Sequence, residues 1–164
     1  MRIKIKLKLL FTLFLLAVTL SANDTLFLLP KESKNAQKHI ETLIKTAQKS
    51  IDVAMYNFSL KEFAKALVKA QKNGVQVNVF LDAKKTEEKS SEYDYLRKNG
   101  IRIFIVKEEK LHTKLAIFDK EVAVFGSSNW TKESFDKNYE IIYVSEQKNM
   151  VEKLNGFINQ LKEK

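Results

Sequence analysis

The sequence predicts one α/β domain built on a mixed, mostly parallel β-sheet with helices on both of its faces. Short segments rich in Val, Ile, Leu and Phe alternate along the chain with longer amphipathic segments, which is the pattern of strands alternating with helices. Two of the later apolar segments are separated by only a short turn, so they are expected to form an antiparallel hairpin. Hydrophobic residues make up 45% of the 164 residues, which is sufficient for one core.

The first 22 residues have the composition of a secretory signal peptide. Four basic residues lie within the first eight, an apolar run extends from Leu9 to Leu20, and the small residues Ser21 and Ala22 are suited to cleavage. The apolar run is shorter than the roughly 20 residues of a comfortable membrane span. We therefore expect residues 23–164 to form a single catalytic domain that is exported, to the periplasm or out of the cell, with an uncleaved membrane anchor as the alternative.

The domain begins with a strand and a helix. Residues 25–29 are predicted to form a strand that ends at Pro30, because proline cannot continue a strand ladder. Residues 33–50 are predicted to form an amphipathic helix, whose apolar face consists of Ile40, Leu43, Ile44 and Ala47.

A strand–helix–strand unit follows. Residues 51–58 form the next strand, and Ser59 is predicted to cap a helix, with Glu62 at the capping-box position. Asn73-Gly74 ends this helix, since glycine is common just beyond a helix C-terminus. Residues 75–81 alternate valines and Leu81 on one face, which indicates a strand.

The remaining elements flank the hairpin. They are a charged loop over 82–89, a short helix over 90–98, a strand over 101–106, a strand over 138–144 and a final helix over 146–162.

The hairpin itself places polar side chains side by side. Side chains of a strand alternate between faces, so His112 and Lys114 point the same way, roughly 7 Å apart at about 3.3 Å per residue. Residues 119–121 form the turn, and residues 121–125 form the returning strand. Pairing of the two strands would bring residues 126–129 alongside His112, and Gly126 would permit a close backbone approach there.

These residues suit an attack on a phosphodiester. Lys114 offers a cationic donor, and Ser127 and Asn129 offer neutral donors, for the charge on the phosphate oxygens. His112 can act as nucleophile or as general acid and base, because its ordinary pKa of about 6.5 lies near neutral pH. Asp119 could hold a lysine, a histidine or the turn. The sequence contains no cysteine and no His or carboxylate cluster at metal-ligand spacing, so neither a metal nor another cofactor is expected.

The spacing of these residues resembles the signature of the phospholipase D superfamily, HxKxxxxDxxxxxxGSxN. The matching residues are His112, Lys114, Asp119, Gly126, Ser127 and Asn129. Residues 51–59 also resemble the segment that begins small members of this superfamily, and Asn138-Tyr139-Glu140 resembles the family's Asn-x-Glu. The resemblance extends from about Leu26 to the C-terminus and is to the short bacterial phospholipase D-like endonucleases, which have one signature per chain.

The resemblance implies a fold, a mechanism and a partner. The fold would be the phospholipase D-like α-β-α sandwich, and the active site would be completed by homodimerisation. His112 of one subunit would attack phosphorus and form a phosphohistidine, while the second subunit's copy would protonate the leaving oxygen and then activate water. Lys114 and Asn129 would bind phosphate oxygens with help from Ser127, Asp119 would support the site, and Glu140 would orient the catalytic histidine. The resemblance implies no metal.

Three functions fit these residues. The first is an exported, metal-independent nuclease acting on DNA, RNA or both. The second is a phospholipase D that hydrolyses phospholipid head groups in association with a membrane. The third is a catalytically silent dimer that binds nucleic acid. Without residues 1–22 the net charge falls from +9 to +5, because that segment contains four basic and no acidic residues, and such a charge suits nucleic acid and anionic lipid equally.

Three further groups of residues have open interpretations. Trp130 could bind substrate by stacking on a base, although packing in the core or a dimer interface is as consistent with its place after the signature. The lysines of the charged loop could line a nucleic-acid groove or be solvated; they are Lys84, Lys85 and Lys89. Residues 56–58 end a strand that should point toward the active face, where they could form an edge of the site.

Overall fold

Residues 24–163 are described by a computed structural model, in which seven strands form one sheet and six helices pack around it. The strands are β1 (Thr25–Leu29), β2 (Ser50–Met55), β3 (Gln76–Asp82), β4 (Arg102–Val106), β5 (Lys114–Phe118), β6 (Val122–Gly126) and β7 (Glu140–Ser145). The helices are α1 (Ser33–Thr46), α2 (Lys61–Lys72), α3 (Ala83–Thr86), α4 (Tyr93–Lys98), α5 (Lys132–Asp136) and α6 (Lys148–Lys162). The predicted signal segment, residues 1–22, lies outside the described residues.

The sheet is mixed, in the order β1-β7-β6-β5-β2-β3-β4. The pairs β2–β3 and β3–β4 are parallel, whereas β1–β7, β7–β6, β6–β5 and β5–β2 are antiparallel. The predicted α/β class with a mixed sheet is confirmed, but the expectation that parallel pairs dominate is wrong. The reason is that β5 and β7 run opposite to the other five strands and lie between them, so each converts two neighbouring pairs to antiparallel ones.

Two apolar clusters lie on opposite faces of the sheet, because alternate residues of each strand point to opposite sides. On one face, Val53 and Val79 belong to a cluster that includes the buried residues of α1 and α2. On the other face, Ala54 and Phe80 pack with Val151, Ile158 and Leu161 of α6. The predicted helices on both faces are therefore present, with α6 as the helix that packs on β4, β5 and β6.

The two strands at the β1 edge leave an apolar surface uncovered, which we call the open face. It consists of Leu26, Leu28 and Ile141, which are 51%, 53% and 49% exposed. Leu28 lies directly opposite Ile141 in the β1–β7 register, and the neighbouring Tyr139 is 95% exposed. The start of β1 is fixed at the other end of this pair, where Asp24 accepts hydrogen bonds of 2.6 Å from Tyr143 and from Ser145.

Several element boundaries differ from those predicted. α1 ends at Thr46 rather than Ser50, and Ser50 begins β2, because the backbone amides of residues 48–50 bind the Asp119 carboxylate instead of continuing the helix. Ser59 does not cap α2. The N-cap residue of this helix is Leu60, and no side chain makes a capping hydrogen bond there. Within residues 24–163, no helix combines the length and the apolar character that crossing a membrane requires.

Candidate active site

The candidate site lies at one end of three neighbouring central strands. It is formed at the start of β5 and at the ends of β2 and β6. Leu115 pairs with Phe125 across the hairpin, and Met55 pairs with Lys114 on the other side of β5. The backbone amide of Tyr56 donates to the carbonyl of Thr113 at 2.9 Å, which extends the β2–β5 ladder to the residue beside His112. Because β5 begins at Lys114, His112 lies just before the strand rather than within it.

His112 and Lys114 are in direct contact. The Lys114 Nζ atom lies 3.2 Å from His112 Nε2 and also donates to the His112 carbonyl at 3.2 Å. His112 is exposed, whereas Lys114 is 9% exposed. The Lys114 ammonium, together with burial and the Lys110 ammonium, lowers the pKa of His112. Burial is the main cause that lowers the pKa of Lys114, and Lys110 adds to it, while the Glu140 carboxylate opposes it. These shifts favour a neutral imidazole, which is the form that can attack phosphorus.

The ring of Tyr56 is a central part of the site that sequence reasoning placed only at its edge. It meets the His112 ring edge-on at a centroid distance of 4.6 Å. Three lysine ammonium groups lie about 5 Å from its centre, at 4.8 Å for Lys110, 5.0 Å for Lys85 and 5.2 Å for Lys114. An aromatic face attracts cations in this way. The signal in the sequence was the position of Tyr56 at the end of a central strand.

The returning strand brings the neutral donors to the same end of the sheet. A Cβ on Gly126 would lie 2.1 Å from the Ile141 carbonyl oxygen, so the expected close backbone approach is present and no other residue fits there. Asn129 accepts a hydrogen bond from the Asn57 amide at 3.2 Å through its Oδ1 atom. That contact orients the Asn129 side chain and leaves its NH₂ group to donate, since within residues 24–163 no acceptor engages it.

Glu140 makes no hydrogen bond to His112 within residues 24–163, so its expected role in orienting the histidine stays a prediction. Its carboxylate accepts a hydrogen bond from the Ser127 hydroxyl and a long one, 3.5 Å, from Asn138. The Ser127 hydroxyl in turn accepts from the Ile141 amide at 3.1 Å. In a single chain, Glu140 therefore positions Ser127 and influences Lys114 electrostatically.

Asp119 lies at the far end of β5, about 16 Å along the strand from Lys114 at about 3.3 Å per residue. Of the three roles considered for it, the structure shows that it holds the turn. Its Oδ1 atom accepts from the amides of Lys49 and Ser50 at 2.7 and 2.9 Å, and its Oδ2 atom accepts from Gln48 at 2.9 Å. The structure therefore does not bring Asp119 together with the other predicted catalytic residues.

Trp130 belongs to the core and not to the substrate surface. It is 2% exposed, and its ring packs edge-on against Phe58 and Phe63 at centroid distances of 5.1 and 4.9 Å. Its carbonyl accepts the amides of Ser59 and Leu60 at 2.9 Å. The prediction that Trp130 binds substrate is wrong, because a ring enclosed by two other aromatic rings cannot stack on a base.

Asp82 is a buried residue near the site that sequence reasoning assigned only to a charged loop. It is 5% exposed, and its carboxylate accepts from the amides of Lys84 and Leu111, each at 3.1 Å. These bonds tie the end of β3 to the residue before His112. Within residues 24–163, no group of three or more His, Asp or Glu side chains is placed to hold a metal ion.

A family model and the relatives that match this chain all belong to the phospholipase D-like proteins. A family model described as cardiolipin synthase, PLD-like domain, matches residues 40–162. A phospholipase D of Rickettsia bellii is 34% identical over 110 residues, which cover 66% of this chain and 55% of that protein. A mitochondrial cardiolipin hydrolase of Mus musculus is 29% identical over 119 residues, covering 72% of this chain and 53% of that protein. The chain thus spans about half the length of these relatives.

Two solved structures match nearly the whole described chain. NucT from Helicobacter pylori superposes with a TM-score of 0.83 at 25% identity, covering 87% of this chain and 97% of that one. Nuc from Salmonella typhimurium, described as a phospholipase D family member, superposes with a TM-score of 0.80 at 25% identity, covering 87% and 95%.

Proposed function

Because this chain belongs to the phospholipase D superfamily, we propose that it hydrolyses phosphodiester bonds, and specifically that it is an exported endonuclease cleaving DNA, RNA or both. The observation that carries the proposal is the contact of Lys114 with His112 Nε2, at an end of the sheet that also presents Ser127 and Asn129. A nucleophile, a cation and neutral donors are the groups needed to attack a phosphodiester and to stabilise its transition state.

The proposed mechanism has two steps. The Nε2 atom of His112 attacks phosphorus, so a P–N bond forms while the bond from phosphorus to the leaving oxygen breaks. The Lys114 ammonium, which contacts Nε2 in the free chain, moves its hydrogen bond to a phosphate oxygen, and Asn129 donates to another. The leaving oxygen takes a proton from the partner's His112. The imidazole that has given up this proton then removes one from water, and the resulting hydroxide displaces His112 from phosphorus. No step uses a metal.

A homodimer would supply the second histidine. The chain has two histidines, and the other, His39, lies in α1 with its ring 5.5 Å from that of Phe27. The open face adjoins the site, since Leu28, Ile141 and Glu140 line one shallow pocket with Ser127. We propose that a second copy covers this face, and that Glu140 orients a histidine only in the dimer. Burial of apolar surface would stabilise the association.

The second candidate function is a phospholipase D acting on phospholipid head groups. The relatives named phospholipase D and cardiolipin hydrolase favour it, and the same catalytic groups would serve it. A chain that retained residues 1–22 as an anchor would be held at a membrane. The third candidate, a silent nucleic-acid-binding dimer, is disfavoured because His112 and Lys114 are both present and in contact.

The experiment that tests the proposal is a parallel assay of residues 23–164 in excess EDTA. The substrates are single- and double-stranded DNA, RNA, and vesicles of phosphatidylcholine or cardiolipin. We expect cleavage of nucleic acid that is abolished by H112A and retained by H39A, the matched change at the other histidine.

Three results would contradict parts of the proposal. Full activity of H112A would contradict the role of His112. Loss of activity in EDTA would contradict the metal-independent mechanism. Release of lipid head groups without nucleic-acid cleavage would establish the second candidate instead.

A further inference from the structure

We propose that Tyr56, Lys85 and Lys110 form a second phosphate subsite, which binds the phosphate next to the one being cleaved in a nucleic-acid strand. We call this group the lysine platform. The inference rests on the proposed function and names its substrate class more closely, because it requires a substrate with repeated phosphates.

The platform is defined by contacts around one aromatic ring. The Lys110 and Lys85 ammonium groups lie 4.8 and 5.0 Å from the centre of the Tyr56 ring, on which Lys114 also lies at 5.2 Å. The ring itself is fixed beside the nucleophile, since its edge meets His112 and the Tyr56 amide is bonded to Thr113. The Tyr56 ring therefore lies next to His112 and Lys114, where the cleaved phosphate would bind, and also next to the two additional lysines, Lys85 and Lys110.

The convergence of these cations favours an anion between them. Lys110 lies close enough to His112 and Lys114 to disfavour the charged form of both. Like charges held this near to one another repel, and a bound polyanion removes that repulsion. Lys85 forms an ion pair of 2.5 Å with Glu88 at a partly exposed position, which a phosphate can replace.

The spacing fits neighbouring phosphates of one strand. Each of the three ammonium groups is about 5 Å from the same ring centre, so Lys85 and Lys110 lie within about 10 Å of Lys114. A strand of nucleic acid carries one phosphate per about 3.4 Å of helix axis. A strand whose scissile phosphate contacts Lys114 therefore brings the next phosphate within reach of the platform.

A cleft adjoins the platform at Tyr56 and Lys110. Its volume is about 410 Å³, and its charged lining residues are three lysines and three acidic residues, which are Lys84, Lys107, Lys110, Asp82, Glu108 and Glu109. The single phosphodiester of phosphatidylcholine cannot use a second phosphate subsite, whereas a nucleic-acid strand can, and so can cardiolipin, which has two phosphates. The lysine platform therefore favours a substrate with more than one phosphate, and a comparison of nucleic acid with cardiolipin decides between the two.

The experiment compares a dinucleoside monophosphate, which has one phosphate, with a trinucleoside diphosphate, which has two. We expect the wild-type dimer to prefer the second substrate in kcat/KM, and the double variant K85Q/K110Q to reduce that preference by about tenfold or more. The matched control is K45Q, which removes an exposed lysine paired with Glu41 on α1 and should keep the wild-type preference.

A binding measurement provides a second readout. In an H112N background, the slope of log affinity against log salt for a single-stranded oligonucleotide should fall by about 0.7 for each lysine–phosphate ion pair that K85Q/K110Q removes. An unchanged slope together with an unchanged preference would overturn the inference. A defect confined to cardiolipin, with nucleic acids unaffected, would also overturn it. Cleavage of long DNA or RNA by the wild type without any preference for the trinucleoside diphosphate would overturn the inference alone, whereas failure to cleave nucleic acid of any length would overturn the proposed function itself.

Discussion

At the scale of single residues, the position of Asp119 separates the signature into two parts with different roles. His112, Lys114, Ser127 and Asn129 meet at one end of the sheet, while Asp119 accepts three backbone amides at the other. Asp119 and Lys120 also take positive φ angles of 54° and 60°, which aspartate tolerates better than most residues. The aspartate of the pattern thus supports the hairpin that carries the proposed catalytic residues.

The variant D119N tests this structural role. Burial tends to raise the pKa of Asp119, but the hydrogen bonds from Gln48, Ser50 and Lys49 outweigh it and lower the pKa overall. The charged carboxylate therefore stabilises the fold above its ordinary pKa of about 3.9, and this contribution is lost as the pH falls through the lowered value. We expect D119N to reduce the free energy of unfolding at pH 7 by about 1–2 kcal/mol.

Chemical denaturation across pH checks the result. The difference between D119N and wild type should begin to shrink below about pH 4, where the unfolded carboxylate becomes protonated, and should disappear as the pH falls through the lowered pKa of the folded state. The folded variant should keep a kcat near the wild-type value. A large loss of kcat at unchanged stability would contradict the structural role. H112N serves as the opposite control, since it should lose activity without losing stability.

The spacing of residue types in the sequence predicted where the site lies, but it did not predict every side-chain contact of the site residues. His112 and Lys114 are in contact, and Ser127 and Asn129 follow the paired strand at the same end of the sheet, because strand alternation and hairpin pairing determine these positions. Trp130 was assigned wrongly, because its contacts depend on a side chain far away in sequence, Phe63. Glu140 bonds to Ser127 in the single chain, and its role in orienting a histidine stays a prediction for the dimer. Local spacing contains no information about such distant partners.

At the scale of elements, the pair β1–β7 is the part of the sheet that lacks a cover on one side. Helix α6 packs on β4, β5 and β6, so Leu28 and Ile141 remain exposed on the same side of the sheet. Exposed apolar side chains in adjacent strands are typical of an interaction surface. This open face borders Glu140, where the proposed partner would approach.

The variant I141K tests the open face as a dimer interface. Placing a charge on this surface should oppose its burial, so we expect a monomer by analytical ultracentrifugation and loss of nuclease activity, with the thermal unfolding midpoint little changed. The matched control is T42K, which adds the same charge on the exposed side of α1. A dimeric I141K would show that another surface associates, and a fully active monomer would contradict the need for two subunits.

Most elements could be predicted from periodicity, but their ends and directions could not. The strand over 75–81 and the helix ending at Asn73-Gly74 lie within one residue of their predicted limits. The helix predicted over 33–50 was four residues too long, because its end is decided by Asp119, about 70 positions away. The capping box expected at Ser59 is absent because the helix begins at Lys61, with Leu60 as its N-cap residue, and because the Trp130 carbonyl binds the Ser59 amide that Glu62 would have bound. The order and direction of the strands likewise depend on long-range packing.

At the scale of the whole molecule, α6 is joined to the sheet by a buried ion pair. The Asp52 carboxylate in β2 accepts from Lys162 at 3.1 Å and from Asn78 at 2.8 Å. The side chain of Asp52 is 4% exposed and that of Lys162 is 31% exposed. Lys162 lies in the last turn of the helix that covers one face of the sheet, so this contact couples the C-terminus to the central strands.

The variant K162M tests that coupling. Removing the ammonium leaves a buried carboxylate with one remaining partner, Asn78, so we expect the free energy of unfolding to fall by about 2–3 kcal/mol. K148M, at the exposed start of the same helix, removes a lysine that lies 3.9 Å from Glu152 and should change stability by less than about 0.5 kcal/mol. Equal effects in the two variants, measured by urea unfolding, would contradict a special role for the buried pair.

The fixed start of β1 has a consequence for attaching a label to the chain. Asp24 lies beside Ser145, whereas the other end of the same strand pair, at Leu29, lies opposite Glu140. The strand between them is about 16 Å long, at about 3.3 Å per residue. Residue 24, where the described chain begins, is therefore separated from Glu140 by the length of a strand. A label or an affinity tag joined to the chain before Asp24 would lie about that far from the proposed active site, so it should leave turnover unchanged.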